Sequence, residues 1–296
     1  MTRLSGVIAA IATPIDRDGN PDAARFVKLA RHLLENGCDG LNVLGTTGEA
    51  TSFSVEQRLA LMSAVGKSGL DLKRMMVGTG AASVADAARL TAAAEEIGFA
   101  GALILPPFYY KGIQAPEAGI VACFREIAAA APRIPLYLYN FPALTGIAYT
   151  APLVRALMAA LPGRIAGLKD SSGNLDYARE IAAISPELAV FPSSEEVLLE
   201  ARAGAFAGCI SATANLNSAL CAAAFHDGDE AAHARAVAVR KLFDGKPLVA
   251  SVKAVLAHVH GDPSLAAVRP PLVAPDGEEA RALAAACDRA AGQDAR

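Results

Sequence analysis

No block of lysine and arginine occurs in this sequence. With 27 basic residues against 30 acidic ones, the formal net charge is −3. That balance offers no patch to track a phosphate backbone or an anionic surface, so no nucleic-acid and no membrane partner is expected. Cysteine is sparse as well. Cys38, Cys123, Cys209, Cys221 and Cys287 are scattered, with no CxxC pair and no histidine at ligand spacing. This argues against a disulfide framework and against a metal site. The one close histidine pair, His258 and His260, is spaced i, i+2, and such positions do not share a helix face. No hydrophobic run approaches a membrane span. The opening "MTRLSGVIAAIATPID" imitates a signal peptide, but its apolar run from Gly6 to Ala12 is short and Pro14 and Asp16 follow at once. A first core strand fits better. The expectation is a soluble cytoplasmic protein.

What is present is a globular chain of 296 residues, 53% hydrophobic and 19% charged, long enough to bury a large core. At this length an α/β barrel is a single domain. Short apolar runs alternate with longer, alanine-rich segments of helical spacing. Strands are predicted at 6–13, 40–45, 74–80, 101–107, 135–140, 164–170, 188–194 and 208–213. Helices are predicted at about 21–36, 54–68, 83–97, 116–131, 150–161, 174–185, 195–204 and 215–227. Ser54 with Gln57, and Ser83 with Asp86, have the spacing of helix-capping pairs. Eight strands alternating with eight helices argue for parallel βαβ units, and uninterrupted apolar strands argue for burial on both faces. A (β/α)8 TIM barrel satisfies both, with a doubly wound sheet as the alternative. Residues 1–228 are assigned to the barrel. Residues 229–296, which include "EAAHARAVAVRKLF" and "EEARALAAACDRAA", are assigned to a C-terminal helical extension packed on it.

The residues with chemical potential gather at the C-terminal ends of the predicted strands. Thr46 and Thr47 follow the second, Tyr109 and Tyr110 the fourth, and Tyr139 and Asn140 end the fifth. Lys169 ends the sixth, Ser194 and Glu195 follow the seventh, and Ser211 follows the eighth. In a barrel these ends form one rim, where active sites occur. A lysine held partly out of water gives up its proton more readily, and the neutral amine attacks a ketone to form a Schiff base. The bland alternative is a lysine that snorkels to the rim or pairs with Asp170, although neighbours on a strand point to opposite faces. "GTTGE" (Gly45 to Glu49) reads either as an ordinary capped turn or as a cradle for a carboxylate, with Glu49 bracing the loop. Tyr139 reads either as a core tyrosine or as a proton shuttle. The aromatics of "PPFYYKG" read as a subunit contact, a catalytic element, or both.

"GTTGE", "PPFYYKG", "YNFPALTG", "GLKDSSGN" and "SATAN" occur in that order. Together they resemble the dihydrodipicolinate synthase / N-acetylneuraminate lyase family of class I aldolases over nearly the whole chain. The resemblance implies a (β/α)8 barrel with a C-terminal helical extension, assembled as a homotetramer of two tight dimers. It implies that Lys169 forms a Schiff base with pyruvate or another 2-oxo acid and that Tyr139 is the general acid/base. It implies that Thr46 and Thr47 bind the carboxylate, with Thr47 joining the proton relay. Tyr109 would complete that relay in a neighbouring subunit, a role the pattern alone does not distinguish from one for Tyr110. The backbone carbonyl of Ile210 would line the site.

Within the family, synthases usually carry an arginine in "P-[SA]-R-T-G" for a carboxylate of the aldehyde. Here the stretch is "PALTG", with Leu144 in that place. Losing a charge-assisted bidentate contact removes roughly 1.5–3 kcal/mol. A leucine there resembles the sialic acid lyase branch, which also places an Asp-Glu pair after strand seven for sugar hydroxyls. This chain aligns Ser194 and Glu195 there, with Glu196 next. The expectation is an aldolase or lyase joining or cleaving pyruvate and an aldehyde, acting on a 2-oxo-3-deoxy sugar acid. The alternatives are a 4-hydroxy-tetrahydrodipicolinate synthase, an N-acetylneuraminate lyase, a dehydratase of a similar acid and, lowest, a non-catalytic 2-oxo-acid-binding protein. A phosphate-binding barrel would need a glycine-rich loop after strands seven and eight, which "FPSSEE" and "SATAN" do not supply. No cofactor is implied, because the iminium is itself the electron sink.

Overall fold

Each predicted apolar run contains a strand, and each strand is shorter than or as long as its run. The computed structural model describes residues 3–110 and 115–292. The strands are β1 (Gly6–Ala10), β2 (Gly40–Val43), β3 (Met75–Gly78), β4 (Gly101–Ile104), β5 (Leu136–Asn140), β6 (Ile165–Asp170), β7 (Ala189–Pro192) and β8 (Gly208–Ser211). All pairings are parallel, in the order β7-β6-β5-β4-β3-β2-β1-β8. The ends of that row meet, where the Ala207 N–H donates to the Val190 carbonyl at 2.9 Å. The chain is therefore a (β/α)8 barrel and not the open doubly wound sheet.

Helices cover the outside: α1 (Ala23–Glu35), α2 (Val55–Gly66), α3 (Val84–Ile97), α4 (Glu117–Ala130), a short α5 (Pro142–Thr145), α6 (Ala151–Ala160), α7 (Leu175–Ala182), α8 (Leu198–Arg202) and α9 (Ala214–Ala222). Ser54 and Gln57 form a reciprocal capping box at the start of α2, and Ser83 caps α3 through Asp86 N–H. The single helix predicted over 195–204 is instead a 3₁₀ turn, Glu195–Val197, followed by α8. The unpredicted α5 starts on Pro142 and ends on Gly146 in the left-handed conformation, the usual start and stop residues for a helix. After residue 229 come α10 (Glu230–Lys241), α11 (Leu248–Val259) and α12 (Gly277–Ala291), with α12 packed on the other two.

Two apolar layers result. One lies between strands and helices. The other fills the barrel interior with Ile8, Met76, Leu103, Tyr137, Phe191 and Ile210, among others. Tyr137 fits only because glycines face it. A Cβ on Gly101 would come within 2.5 Å of its ring, and one on Gly167 within 2.7 Å.

An irregularity in β6 sets the direction of the residues beyond it. Leu136 pairs with Ile165, but Tyr137 pairs with Gly167, so Ala166 is an extra residue. Side chains alternate along a strand, so one inserted residue reverses the faces of all that follow. The inserted residue turns Lys169 into the barrel, in register with Tyr139 and Phe191.

Gly167→Ala is expected to destabilise the fold by about 1–3 kcal/mol, because the new methyl meets both a ring and the Ala189 carbonyl and cannot be accommodated without movement. Urea unfolding measures this. A change below about 0.5 kcal/mol, the size of an ordinary surface effect, would mean that Tyr137 does not depend on that gap.

Candidate active site

The strand ends open into a cleft of about 670 Å³ whose lining includes Thr46, Thr47, Tyr139, Leu144, Lys169 and Ile210. Ser194 also lines it. Lys169 is 4% exposed, and its Nζ lies 4.5 Å from the centroid of the Tyr139 ring. The pairing with Asp170 that would have made it a structural lysine does not form. Asp170 points to the opposite face, where it accepts from Asn140 Nδ2 at 2.7 Å and Ser172 Oγ at 2.8 Å. Among the described residues no carboxylate forms an ion pair with Lys169, which leaves its amine facing the cleft.

The Tyr139 hydroxyl and Thr46 Oγ1 are 3.0 Å apart, so the tyrosine of β5 is hydrogen-bonded to the turn after β2. That turn is compressed. A Cβ on Gly45 would sit 2.2 Å from Asn42 Oδ1, and one on Gly78 would sit 2.2 Å from the Leu44 carbonyl. Leu44 and Glu49, on either side of "GTTG", have φ of 53° and 55°. Only glycine adopts that region freely, so both positions are strained. The Glu49 side chain is buried and both its oxygens are occupied. Lys253 Nζ donates to Oε1 at 2.5 Å and the Arg269 N–H donates to Oε2 at 2.7 Å. Lys253 also donates to the Thr13 carbonyl at 2.9 Å. Burial lowers the proton affinity of Lys253, and the Glu49 carboxylate opposes that effect.

Two expected substrate contacts lie elsewhere. Glu195 is fully buried outside the cleft, where Oε1 accepts from Ser211 Oγ at 2.8 Å, from Thr213 Oγ1 at 2.5 Å and from Asn217 Nδ2 at 3.4 Å. Ser211 is turned outward with it. The reason is the 3₁₀ turn after β7: successive residues there are about 120° apart, so Glu195 goes into the wall and Glu196 to the cleft. Burial raises the pKa of the Glu195 carboxyl, against the opposing effect of its hydroxyl donors.

Residues the sequence did not single out complete the mouth. Arg240 and Lys241 on α10, together with Asp244, line it. Lys241 is 3.6 Å from Glu196, and Arg240 donates to Asp244 at 3.0 Å. Tyr109 is 79% exposed on the loop after β4 and does not line the cleft of its own chain. Tyr110 is 55% exposed and meets Tyr109 edge to face at 6.0 Å. Lys111 and Gly112 of the same motif lie outside the described residues. Among the described residues no group of three His, Cys, Asp or Glu side chains is placed to hold a metal, and no helix is long and apolar enough to cross a membrane.

A parallel barrel with an inward lysine and a hydrogen-bonded tyrosine at its C-terminal rim defines the class as a barrel aldolase or lyase. Residues 3–290 match the dihydrodipicolinate synthetase family, and the chain belongs to that family. It is 35% identical over 296 residues, 98% of each chain, to a protein of Chloroflexus aurantiacus described as an uncharacterized DapA-like lyase. Its fold is similar to that of dihydrodipicolinate synthase from Agrobacterium tumefaciens, with TM-score 0.88 and 31% identity over 96% of this chain and 98% of that one. It is also similar to YagE of Escherichia coli, a family member solved in complex with pyruvate, with TM-score 0.86 and 26% identity over 97% and 98% of the two chains.

The raised carboxyl pKa makes Glu195 pH-sensitive. A group whose pKa is raised on folding contributes stability below its unfolded value, about 4.5 for this group, and loses it as pH rises through the folded value. Glu195→Gln keeps an acceptor for the three donors and removes the charge. Its melting temperature relative to wild type should therefore be highest near pH 8 and fall toward pH 4.5. A difference that does not vary with pH would mean that Glu195 is not buried as an ionisable group.

Proposed function

We propose that this protein is a Schiff-base-forming lyase that cleaves a 2-oxo-3-deoxy sugar acid to pyruvate and an aldehyde, or joins the two. The observation that carries the reading is the buried Lys169 amine, without an ion-pair partner among the described residues, beside the hydrogen-bonded Tyr139–Thr46 hydroxyl pair. Lys169 Nζ attacks the ketone carbon of the 2-oxo acid, and loss of water leaves an iminium. In cleavage the C3–C4 bond breaks. Its electrons move into the iminium to give an enamine, and the C4 hydroxyl proton passes to Tyr139, which Thr46 orients. Protonation of the enamine at C3 and hydrolysis of the iminium release pyruvate and regenerate the amine. Thr46 and Thr47, next to the backbone N–H groups of a tight turn, bind the carboxylate, and the Ile210 carbonyl borders it. Condensation is the same sequence reversed.

Two features of the mouth support a hydroxylated acceptor over a carboxylate-bearing one. Leu144, 60% exposed at the cleft, offers no charge. The charged side chains opposite occur as pairs of opposite sign, Glu196 with Lys241 and Asp244 with Arg240. Such pairs offer both acceptors and donors to hydroxyls while carrying no net field for an anion. We also propose that Tyr109, largely exposed on its rim loop, extends to the site of a second copy within a homotetramer.

Borohydride reduction in the presence of pyruvate should give a stable adduct on Lys169, read by peptide mass mapping. Lys169→Ala should abolish turnover with the fold unchanged by circular dichroism. Substantial residual activity would sink the Schiff-base assignment. Leu144→Arg should raise kcat/KM for an aldehyde bearing a carboxylate by about tenfold or more, the size of one charge-assisted contact. No gain would mean that Leu144 does not face the acceptor.

A further inference from the structure

We infer that the buried Glu49–Lys253 pair is a positioning device for the proposed reaction, setting the Thr46 hydroxyl against Tyr139 from behind the site. The inference rests on the Schiff-base reading. Neither residue lines the cleft; Glu49 and Lys253 side chains are 0% and 1% exposed. Their placement couples three segments: the turn after β2, the segment after β1, and α11. Glu49 ends the turn that carries Thr46 and Thr47. Lys253 lies in the middle of α11, and its two bonds fix the helix to Glu49 and to the Thr13 carbonyl after β1. Arg269, beyond α11, closes the ring through its backbone N–H on the second carboxylate oxygen.

The turn needs such a hold. It has non-glycine residues in the left-handed region at both ends, and its own backbone bonds are short-range: Glu49 N–H to Thr46 carbonyl and Ala50 N–H to Gly45 carbonyl, at 3.0 and 3.2 Å. Strained backbone persists where the surroundings over-determine it. Two occupied oxygens on one carboxylate remove the freedom of Glu49 to relax to negative φ, a rotation that would carry Thr46 and Thr47 with it. The Thr46–Tyr139 contact of 3.0 Å is the part of the proposed relay that this movement would break first.

An alternative role is purely structural: a buried pair that holds α11 on the barrel. Replacing one partner leaves the other charge buried and unpaired, whereas replacing both with uncharged groups of similar shape removes that penalty. The test therefore uses Glu49→Gln, Lys253→Met and the double variant, each measured for melting temperature, kcat, KM for the 2-oxo acid, and the rate of borohydride-trapped adduct formation at Lys169. Both single variants should melt lower than wild type. The double variant should recover most of the melting temperature, yet its kcat should stay about 10- to 100-fold below wild type, the size of effect a misplaced catalytic contact produces. Trapping at Lys169 should persist in it, because the amine itself is untouched. Recovery of kcat together with the melting temperature would overturn the inference and leave the pair a structural brace. Wild-type protein that forms no adduct with pyruvate would instead overturn the Schiff-base reading, and this inference with it.

Discussion

One extra residue in β6 determines the polarity of the site. Ala166 is skipped in the pairing with β5, and beyond it Gly167 and Lys169 face the interior while Leu168 faces the helices. With regular pairing from Ile165 onward, the faces would be exchanged. The lysine would lie among the apolar side chains of the outer layer and Leu168 would fill the cleft. Gly167 serves the same arrangement, since the inward position just below Lys169 is the one Tyr137 leans into. The bulge, the missing side chain and the large ring one level below the cleft act together. Tyr137 closes the interior beneath the site, so the amine above it sits on a packed floor with the cleft on one side only.

The opposite wall depends on the ends of β1 to β3. Here the chain makes close backbone approaches, with Gly45 against Asn42 and Gly78 against the Leu44 carbonyl. Arg58 supports the same region from outside. Its guanidinium donates to the carbonyls of Gly78 and Gly80 at 2.8 and 3.1 Å, and burial lowers its pKa to about 10. Asn215, from the segment after β8, does likewise for β1, accepting from Ala12 N–H and donating to the Ala10 carbonyl. Short strands leave backbone groups unpaired at their ends, and buried unpaired groups are costly. This barrel meets that need with side chains reaching in from the helical layer. The motif residues expected to contact substrate therefore divide between the cleft, which Thr46 and Thr47 line, and its supports, among which Ser211 of "SATAN" lies.

The fold was legible because parallel strands buried on both faces read as apolar runs, and because Ser54 and Ser83 carry capping side chains at the expected spacing. Lys169 stood out for the same reason: it is a charge at the end of an apolar run. Lys253 carries a similar signal, a single lysine in the otherwise apolar centre of "LVASVKAVLAHV". Its partner was not legible, because Glu49 is 204 residues away and only the folded barrel brings them together. The exchange of Glu195 for Glu196 was out of reach for a different reason. Assigning the first carboxylate to the cleft treats the loop as an extension of β7, and a single 3₁₀ turn shifts that phase by one residue. Period arguments hold inside regular elements and fail at their ends, where the functional residues of a barrel lie.

That failure bears on what selects substrate here. The core residues Lys169, Tyr139 and Thr46 occupy strand ends and a glycine-locked turn, where position is fixed by the barrel. The cleft mouth includes a 3₁₀ turn, a four-residue helix, α10 and the start of α11, none of which takes part in the sheet. Changes in those elements alter Leu144, Glu196, Arg240 and Lys241 without disturbing the pairing of β5 with β6. In the proposed reaction the amine chemistry and the choice of aldehyde thus rest on separate parts of the structure. α10 and α11, consecutive in the chain, meet at this boundary: α10 and the first residues of α11 line the mouth, and Lys253 further along α11 holds the threonine turn. In the proposed reaction, a substitution that shifts α10 relative to α11 would be felt at the acceptor before it is felt at the imine, because Lys253 is held by two buried oxygens, the Thr13 carbonyl and Glu49 Oε1, while Arg240 and Lys241 bond to Asp244 and Glu196 at the rim, with the buried Glu195 carboxylate 4.0 Å from Arg240 Nε.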